Sequence, residues 1–323
     1  MDRLINILVI ITLIEMMVAI GMRVTFAELL AVARDWRLVM RSALANYVCV
    51  PALTVGLLLL FDARPMVAVG FLILASCPGA PYGPPFTAIA KGSVPLAVGL
   101  MVLLAGSSAI ISPFLLRGLL LLVPGLAPVQ VDTTRIVVTL LATQLLPLTV
   151  GMVLRRLLPA LADLLQRPAD LASKVLNLMA VGLILITKFP LLTEIQLRGF
   201  AGMLTLLVAS CAAGWLLGGR ESTVRRTMTI TASLRNISVG LVVATGSFAG
   251  TPAVIAVTAY GLVSLLGTLT LALFTGAVLP PGPPATSASQ PSLTPTRATC
   301  IDRSCNNYEL SRARFLGVGS SGS

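Results

Sequence analysis

The chain has 323 residues, 56% of them hydrophobic and 11% charged, with a mean hydropathy of +0.96 and a formal charge of +11. An ordinary soluble domain carries roughly 25% charged residues. This composition therefore cannot cover a water-facing surface, excludes a soluble enzyme, and points to lipid as the solvent. The positive charge does not mark a nucleic-acid binder. Lys and Arg fall in short gaps between long apolar runs, not in a stripe with interleaved aromatics.

A bilayer core about 30 Å thick needs about 20 apolar residues as helix. Nine segments meet this requirement, near residues 4–22, 38–61, 66–90, 94–123, 135–158, 171–192, 199–218, 226–248 and 252–279. The expected fold class is all-α, a polytopic membrane helix bundle of about nine transmembrane helices. The first segment is longer than a signal-peptide core and no small-residue cleavage site follows it. It contains Glu15, a carboxyl well inside a span and hence a candidate counter-ion for Arg235 or a proton carrier. Of the 23 Lys and Arg residues, 16 fall on one side of the resulting topology and six on the other, the last being Arg235 within a span. By the positive-inside rule the N-terminus is outside and the C-terminus cytoplasmic, in a plasma or inner membrane.

Cys49, Cys77 and Cys211 lie in apolar runs and read as packing residues. Cys300 and Cys305 lie in the polar stretch 280–323, where Pro, Ser and Thr predominate and a disordered cytoplasmic tail is expected. The sequence carries no His, and no metal site or resident cofactor is expected. Without His there is no H-E-x-x-H site and no Ser-His dyad. Nor is there a paired mid-span Asp or a phosphate-binding G-x4-G-K-[ST] run, so an intramembrane enzyme is not expected.

The third and eighth segments are interrupted. Pro78, Pro81, Pro84 and Pro85 remove four backbone donors within eight residues, with Gly79 and Gly83 between them, so a continuous helix cannot pass. Freed backbone groups at that depth must meet protein, ligand or water, because lipid supplies no partner. The eighth segment carries Thr229, Thr231, Ser233, Arg235, Asn236 and Ser238 at its centre. A mid-span arginine costs at least about 2.5–3.5 kcal/mol on insertion scales and therefore faces a cavity or a partner. Both interrupted segments are followed by a Gly-[Ser/Thr] start to a long apolar helix, at Gly92-Ser93-Val94-Pro95 and at Gly250-Thr251-Pro252. The two enter from opposite sides, so they form inverted repeats of the kind secondary transporters use.

At Cys77-Pro78-Gly79 and Ala90-Lys91-Gly92 the sequence resembles the bile acid:sodium symporter family. Its members carry C-P-G-G-x-x-S-N in a broken helix, then Thr, then A-[K/R]-G. Here Gly83-Pro84 stand at the Ser-Asn pair and Thr87 at the Thr. Gly21-Met22-Arg23-Val24-Thr25-Phe26 resembles the family's M-G-L-x-L-S turn, Asn46 and Pro51 its Q-x4-P, and Leu234-Arg235-Asn236 its M-Q-N. The resemblance spans about residues 4 to 279.

It implies two broken helices crossing in a core domain (helices within about 38–123 and 199–279) beside a panel domain (about 4–22 and 135–192), in a transporter domain over 1–279. Nine helices match members that lack the first of ten. The resemblance also implies import of carboxylated or sulfonated organic anions coupled to sodium. The family's sodium ligands, however, fall at Gly83, Pro84, Ala97, Met101, Thr231 and Arg235, where most side-chain oxygens are missing and a fixed cation stands.

The expected function is a secondary transporter of a small organic anion in the lipid bilayer, sodium-independent or proton-coupled. The expected site is Asn46, Cys77, Pro78, Gly79, Gly83, Pro84, Thr87, Thr231, Ser233, Arg235 and Asn236. The alternatives are a sodium symporter with backbone ligands and a transport-inactive sensor or scaffold of the same fold.

Overall fold

The computed structural model describes residues 2–125, 132–193 and 197–278; the predicted tail, with Cys300 and Cys305, lies outside them. Every regular element among the described residues is helical. In chain order these are α1 (Asp2–Arg23), α2 (Phe26–Arg34), α3 (Trp36–Ala43), α4 (Val50–Leu60), α5 (Pro65–Ser76), α6 (Gly83–Ile89) and α7 (Val94–Leu122). There follow α8 (Thr133–Leu140), α9 (Leu146–Leu157), α10 (Pro159–Thr193), α11 (Leu197–Leu217), α12 (Ser222–Ser233), α13 (Ile237–Ser247) and α14 (Pro252–Val278).

Among the described residues, seven stretches are long and apolar enough to cross a membrane: Asn6–Arg23, Trp36–Leu60, Val94–Leu122, Thr133–Leu157, Arg198–Leu217, Ser222–Ser247 and Pro252–Val278. The third predicted segment is divided between α5 and α6. The sixth lies within α10, which starts twelve residues before the predicted 171. Large apolar side chains are exposed along these helices, among them Leu60 at 73%, Leu216 at 76% and Ile186 at 77%. An apolar surface of this kind belongs in lipid.

Two spans contain a π-helical turn, Leu44–Cys49 between α3 and α4 and Leu141–Leu145 between α8 and α9. Each precedes a proline, Pro51 or Pro147. A proline ring inside a helix clashes with the carbonyl four residues back and supplies no N–H for it. Widening the preceding turn accommodates both, and Val50 N–H accordingly bonds to Ala45 O and Leu146 N–H to Leu141 O. The widened turns hold one fully buried amide each, Asn46 and Gln144.

Helix α1 packs mainly on α9 and α10. Gly21 of α1 and Gly151 of α9 meet where no side chain fits: a Cβ on Gly151 would stand 2.9 Å from Gly21 Cα. The ion pair Arg23–Asp170 joins α1 to α10 at one end. Helices α4, α7, α11 and α14 pack around α5–α6 and α12–α13. Whereas 28–56% of the other spanning windows is buried, 94% is buried along Ser222–Ser247, so the second broken helix lies in the interior.

The repeat is visible in the backbone. Half-helix α5, a break, half-helix α6, a turn at Lys91 (φ 56°) and long α7 are matched by α12, a break, α13, a turn at Gly250 (φ 74°) and long α14. Helix α5 packs beside α13, and α6 beside α12, as two antiparallel chains crossing at their breaks must. Ser93 occupies the N-cap position of α7 without a side-chain cap bond; its N–H bonds to Thr227 Oγ1 of α12, at 2.9 Å, so the start of α7 is tied to the other repeat.

Candidate functional site

The two breaks touch. Asn236 N–H donates to Cys77 O at 2.9 Å, and Asn236 Nδ2 donates to Gly79 O at 3.3 Å. Asn236 also caps α13, its Oδ1 accepting from Val239 N–H at 3.2 Å. One asparagine thus ends one half-helix and holds the other break, which satisfies backbone groups that lipid would leave bare. Gly79 adopts φ 84°, and a Cβ there would lie 2.5 Å from Ala105 N. Only glycine permits both the left-handed conformation and the approach to α7. The N-terminal side of α6 is already closed, because Gly83 N–H bonds to Ala80 O and Pro84 and Pro85 have no N–H to offer.

Arg235 follows Leu234, the residue that ends α12, and is 2% exposed. Its Nη2 donates to Ala232 O at 2.8 Å, at the carboxyl end of α12, and its Nη1 to Asn46 O at 3.4 Å, in the π-helical turn. The last carbonyls of a helix lack intrahelical partners and carry partial negative charge, so a cation is favoured there. Tyr260 is 1% exposed and its ring packs on Phe71. Among the described residues no carboxylate pairs with Arg235; the ion pairs Arg23–Asp170 and Arg155–Asp163 lie elsewhere. Arg235 Nε and Asn46 Oδ1 are buried without a hydrogen-bond partner. The arrangement is a buried guanidinium with a donor to spare and no neutralising acid.

The predicted site residues divide into two groups. Asn46, Cys77, Gly79, Arg235 and Asn236 meet at the crossing, with the buried Pro78 between Cys77 and Gly79. Thr231 and Ser233 belong to the same half-helix, but each hydroxyl donates back to its own helix, to Thr227 O at 2.8 Å and Ile230 O at 3.0 Å; Ser233 also accepts from Thr268. Gly83 and Pro84 start α6, and a Cβ on Gly83 would meet nothing within 4 Å. Thr87 lies at the far end of α6, against Gly92 and near Thr227. Glu15 accepts from Ser173 Oγ of α10 at 2.5 Å, and its other oxygen, Oε1, is buried without a partner.

The sequence reading missed Tyr47, Gln144 and Tyr260. Tyr47 Oη donates to Leu104 O at 3.0 Å and shares a bond with Ser107 Oγ at 2.8 Å. Gln144 Nε2 donates to Ala105 O and, at 2.9 Å, to Ser108 Oγ. Both grip α7 around Ala105, the residue that abuts Gly79. The available signal was a polar residue standing three to five positions before a proline in an apolar span, at Asn46 and Pro51 and again at Gln144 and Pro147.

A family model described as the Sodium Bile acid symporter family matches residues 10–196. This is more than half the chain, and the chain belongs to that family. The matched stretch includes the first broken helix and ends before the second. No curated protein matches the sequence.

Proposed function

We propose that this member of the Sodium Bile acid symporter family is a secondary transporter of a small organic anion, in which Arg235 serves as a resident cation where the family's resemblance implies a sodium ion. The supporting observation is the position of the guanidinium. It is buried at the carboxyl end of half-helix α12 and is held by the carbonyls of Ala232 and Asn46. Unwound carbonyls and half-helix carboxyl ends are what bind coupling cations in transporters with broken helices. A tethered guanidinium uses those carbonyls and repels a second cation. Burying an unpaired charge costs several kcal/mol, and a bound carboxylate or sulfonate would offset that cost through the remaining Nε donor.

In this reading α1 and α8–α10 form the panel and the remaining helices the core. The N-terminus is outside, the tail is cytoplasmic, and the membrane is the plasma or inner membrane. Glu15, bonded to Ser173 on the panel, is the candidate proton carrier. One observation favours a second reading, a purely structural Arg235: both Nη atoms already bond to backbone carbonyls. Arg235→Gln separates the two. Under the transport reading anion binding is lost while the melting temperature changes little; under the structural reading the melting temperature falls and binding persists.

A further inference from the structure

A crevice of about 540 Å³ opens away from the helix crossing, between the carboxyl end of α4 and the amino ends of α5, α11 and α14. Leu58, Phe61, Met66, Phe71, Met203 and Ile255 contribute apolar wall. The space exists because Ala63, Gly199, Gly202 and Ala256, which also line it, are small. Neither Arg235 nor any residue of the two breaks lines it. Its inner wall is Phe71, whose ring packs on Tyr260 with centroids 5.4 Å apart, so an aromatic pair separates this space from the surroundings of Arg235.

The charge is confined to one end. Arg64, immediately before α5, and Arg198, in the first turn of α11, line the mouth and are exposed, with Asp62 as the acid among the lining residues. Both arginines stand at the ends of membrane-spanning stretches, at the level where lipid headgroups lie. The amino ends of α5, α11 and α14 add partial positive charge to that end. The result is a polar, net-positive rim over an apolar shaft whose volume falls in the range of roughly 300–1,000 Å³ typical of small-molecule sites.

We infer that this crevice binds a single-chain anionic amphiphile, a long-chain carboxylate, with its head between Arg64 and Arg198 and its chain running inward to Phe71. Charge complementarity selects the head group and the apolar wall selects the chain. The site is separate from the transport site, and the inference stands whether or not Arg235 binds the transported anion. Arginine presents a planar pair of donors that matches a carboxylate, whereas a neutral ester of the same chain length loses that interaction and keeps the apolar one.

The test uses the full-length protein in nanodiscs of zwitterionic lipid, titrated with a spin-labelled long-chain fatty acid and, separately, with its methyl ester. The acid binds saturably at one site, and the ester binds at least about tenfold more weakly, as loss of a charge-assisted pair implies. Arg64→Gln with Arg198→Gln weakens acid binding to the same degree. Gly202→Phe, at a residue that lines the crevice and whose Cβ would touch the Phe61 ring at 3.7 Å, puts a benzyl group into that space and abolishes binding. If Gly202→Phe does not fold, the exposed arginine pair still decides the matter. Arg117→Gln, at an exposed arginine outside the crevice lining, leaves binding unchanged. The inference is overturned if the wild type shows no saturable component, if acid and ester bind alike, or if the Arg64→Gln, Arg198→Gln double variant binds the acid as tightly as the wild type. Displacement by an equal concentration of anionic phospholipid overturns the single-chain assignment.

Discussion

Gly79→Ala tests whether the crossing depends on close packing of the first break against α7. The native φ of 84° is left-handed, which costs a residue with a Cβ about 1–2 kcal/mol. The added carbon would stand 2.5 Å from Ala105 N, 2.8 Å from its Cα and 2.9 Å from its Cβ. Those atoms are backbone or fixed directly to it, so the break must move, at a cost of about 1–3 kcal/mol for overpacking. The two terms together give about 2–5 kcal/mol, and the displacement pulls on both hydrogen bonds from Asn236. In a background with Cys49, Cys211, Cys300 and Cys305 replaced by Ser, Gly79→Ala should lower the melting temperature by several degrees. It should also raise the rate of maleimide labelling at Cys77, which is 1% exposed. Gly83→Ala is the control: its Cβ has open space and should change neither readout. An unchanged melting temperature and unchanged labelling for Gly79→Ala would refute the packing argument.

Asn236→Ala removes the cap of α13 and the bond to Gly79 O; a lost cap alone costs about 0.5–2 kcal/mol. Thermal melting should show the loss, and uptake should fall with it, whereas Asn236→Asp should keep the cap and recover part of the stability. Arg23→Ala or Asp170→Ala should have little effect on melting, because this pair is 46% and 22% exposed and such pairs contribute about 0–1 kcal/mol. Glu15→Gln should retain a hydrogen bond with Ser173 and leave sodium-free uptake measurable, while removing its stimulation by an imposed proton gradient. Undiminished stimulation in proteoliposomes would exclude Glu15 as the proton carrier.

The breaks were legible in the sequence because proline and mid-span polarity are local signals. Four prolines between Pro78 and Pro85 forbid one continuous helix through that stretch, and Arg235 cannot face lipid. The antiparallel crossing was legible more faintly, through the two Gly-[Ser/Thr] helix starts. Hydropathy did not show that α10 begins at Pro159. Its first twelve residues carry Asp163, Arg167 and Asp170, and a proline at a helix start costs nothing. Tyr260 and Gln144 were invisible for another reason: a single polar side chain in an apolar helix has no meaning until its neighbours are known. For Gln144 the neighbours are Ala105 and Ser108, 36 or more residues away in sequence. The same holds for Ser93, whose N–H finds its partner in the other repeat. The sequence also left open a bridge between Glu15 and Arg235. The structure instead bonds Glu15 to Ser173 and Arg235 to the carbonyls of Ala232 and Asn46.

The central claim is that the guanidinium of Arg235 does the work of a coupling cation. The most direct test is anion uptake into proteoliposomes in choline buffer and in sodium buffer, for the wild type and for Arg235→Gln, with a panel of carboxylates and sulfonates. Wild-type uptake should be equal in the two buffers, and the variant should lose uptake with its melting temperature little changed. Wild-type uptake that requires sodium would contradict it.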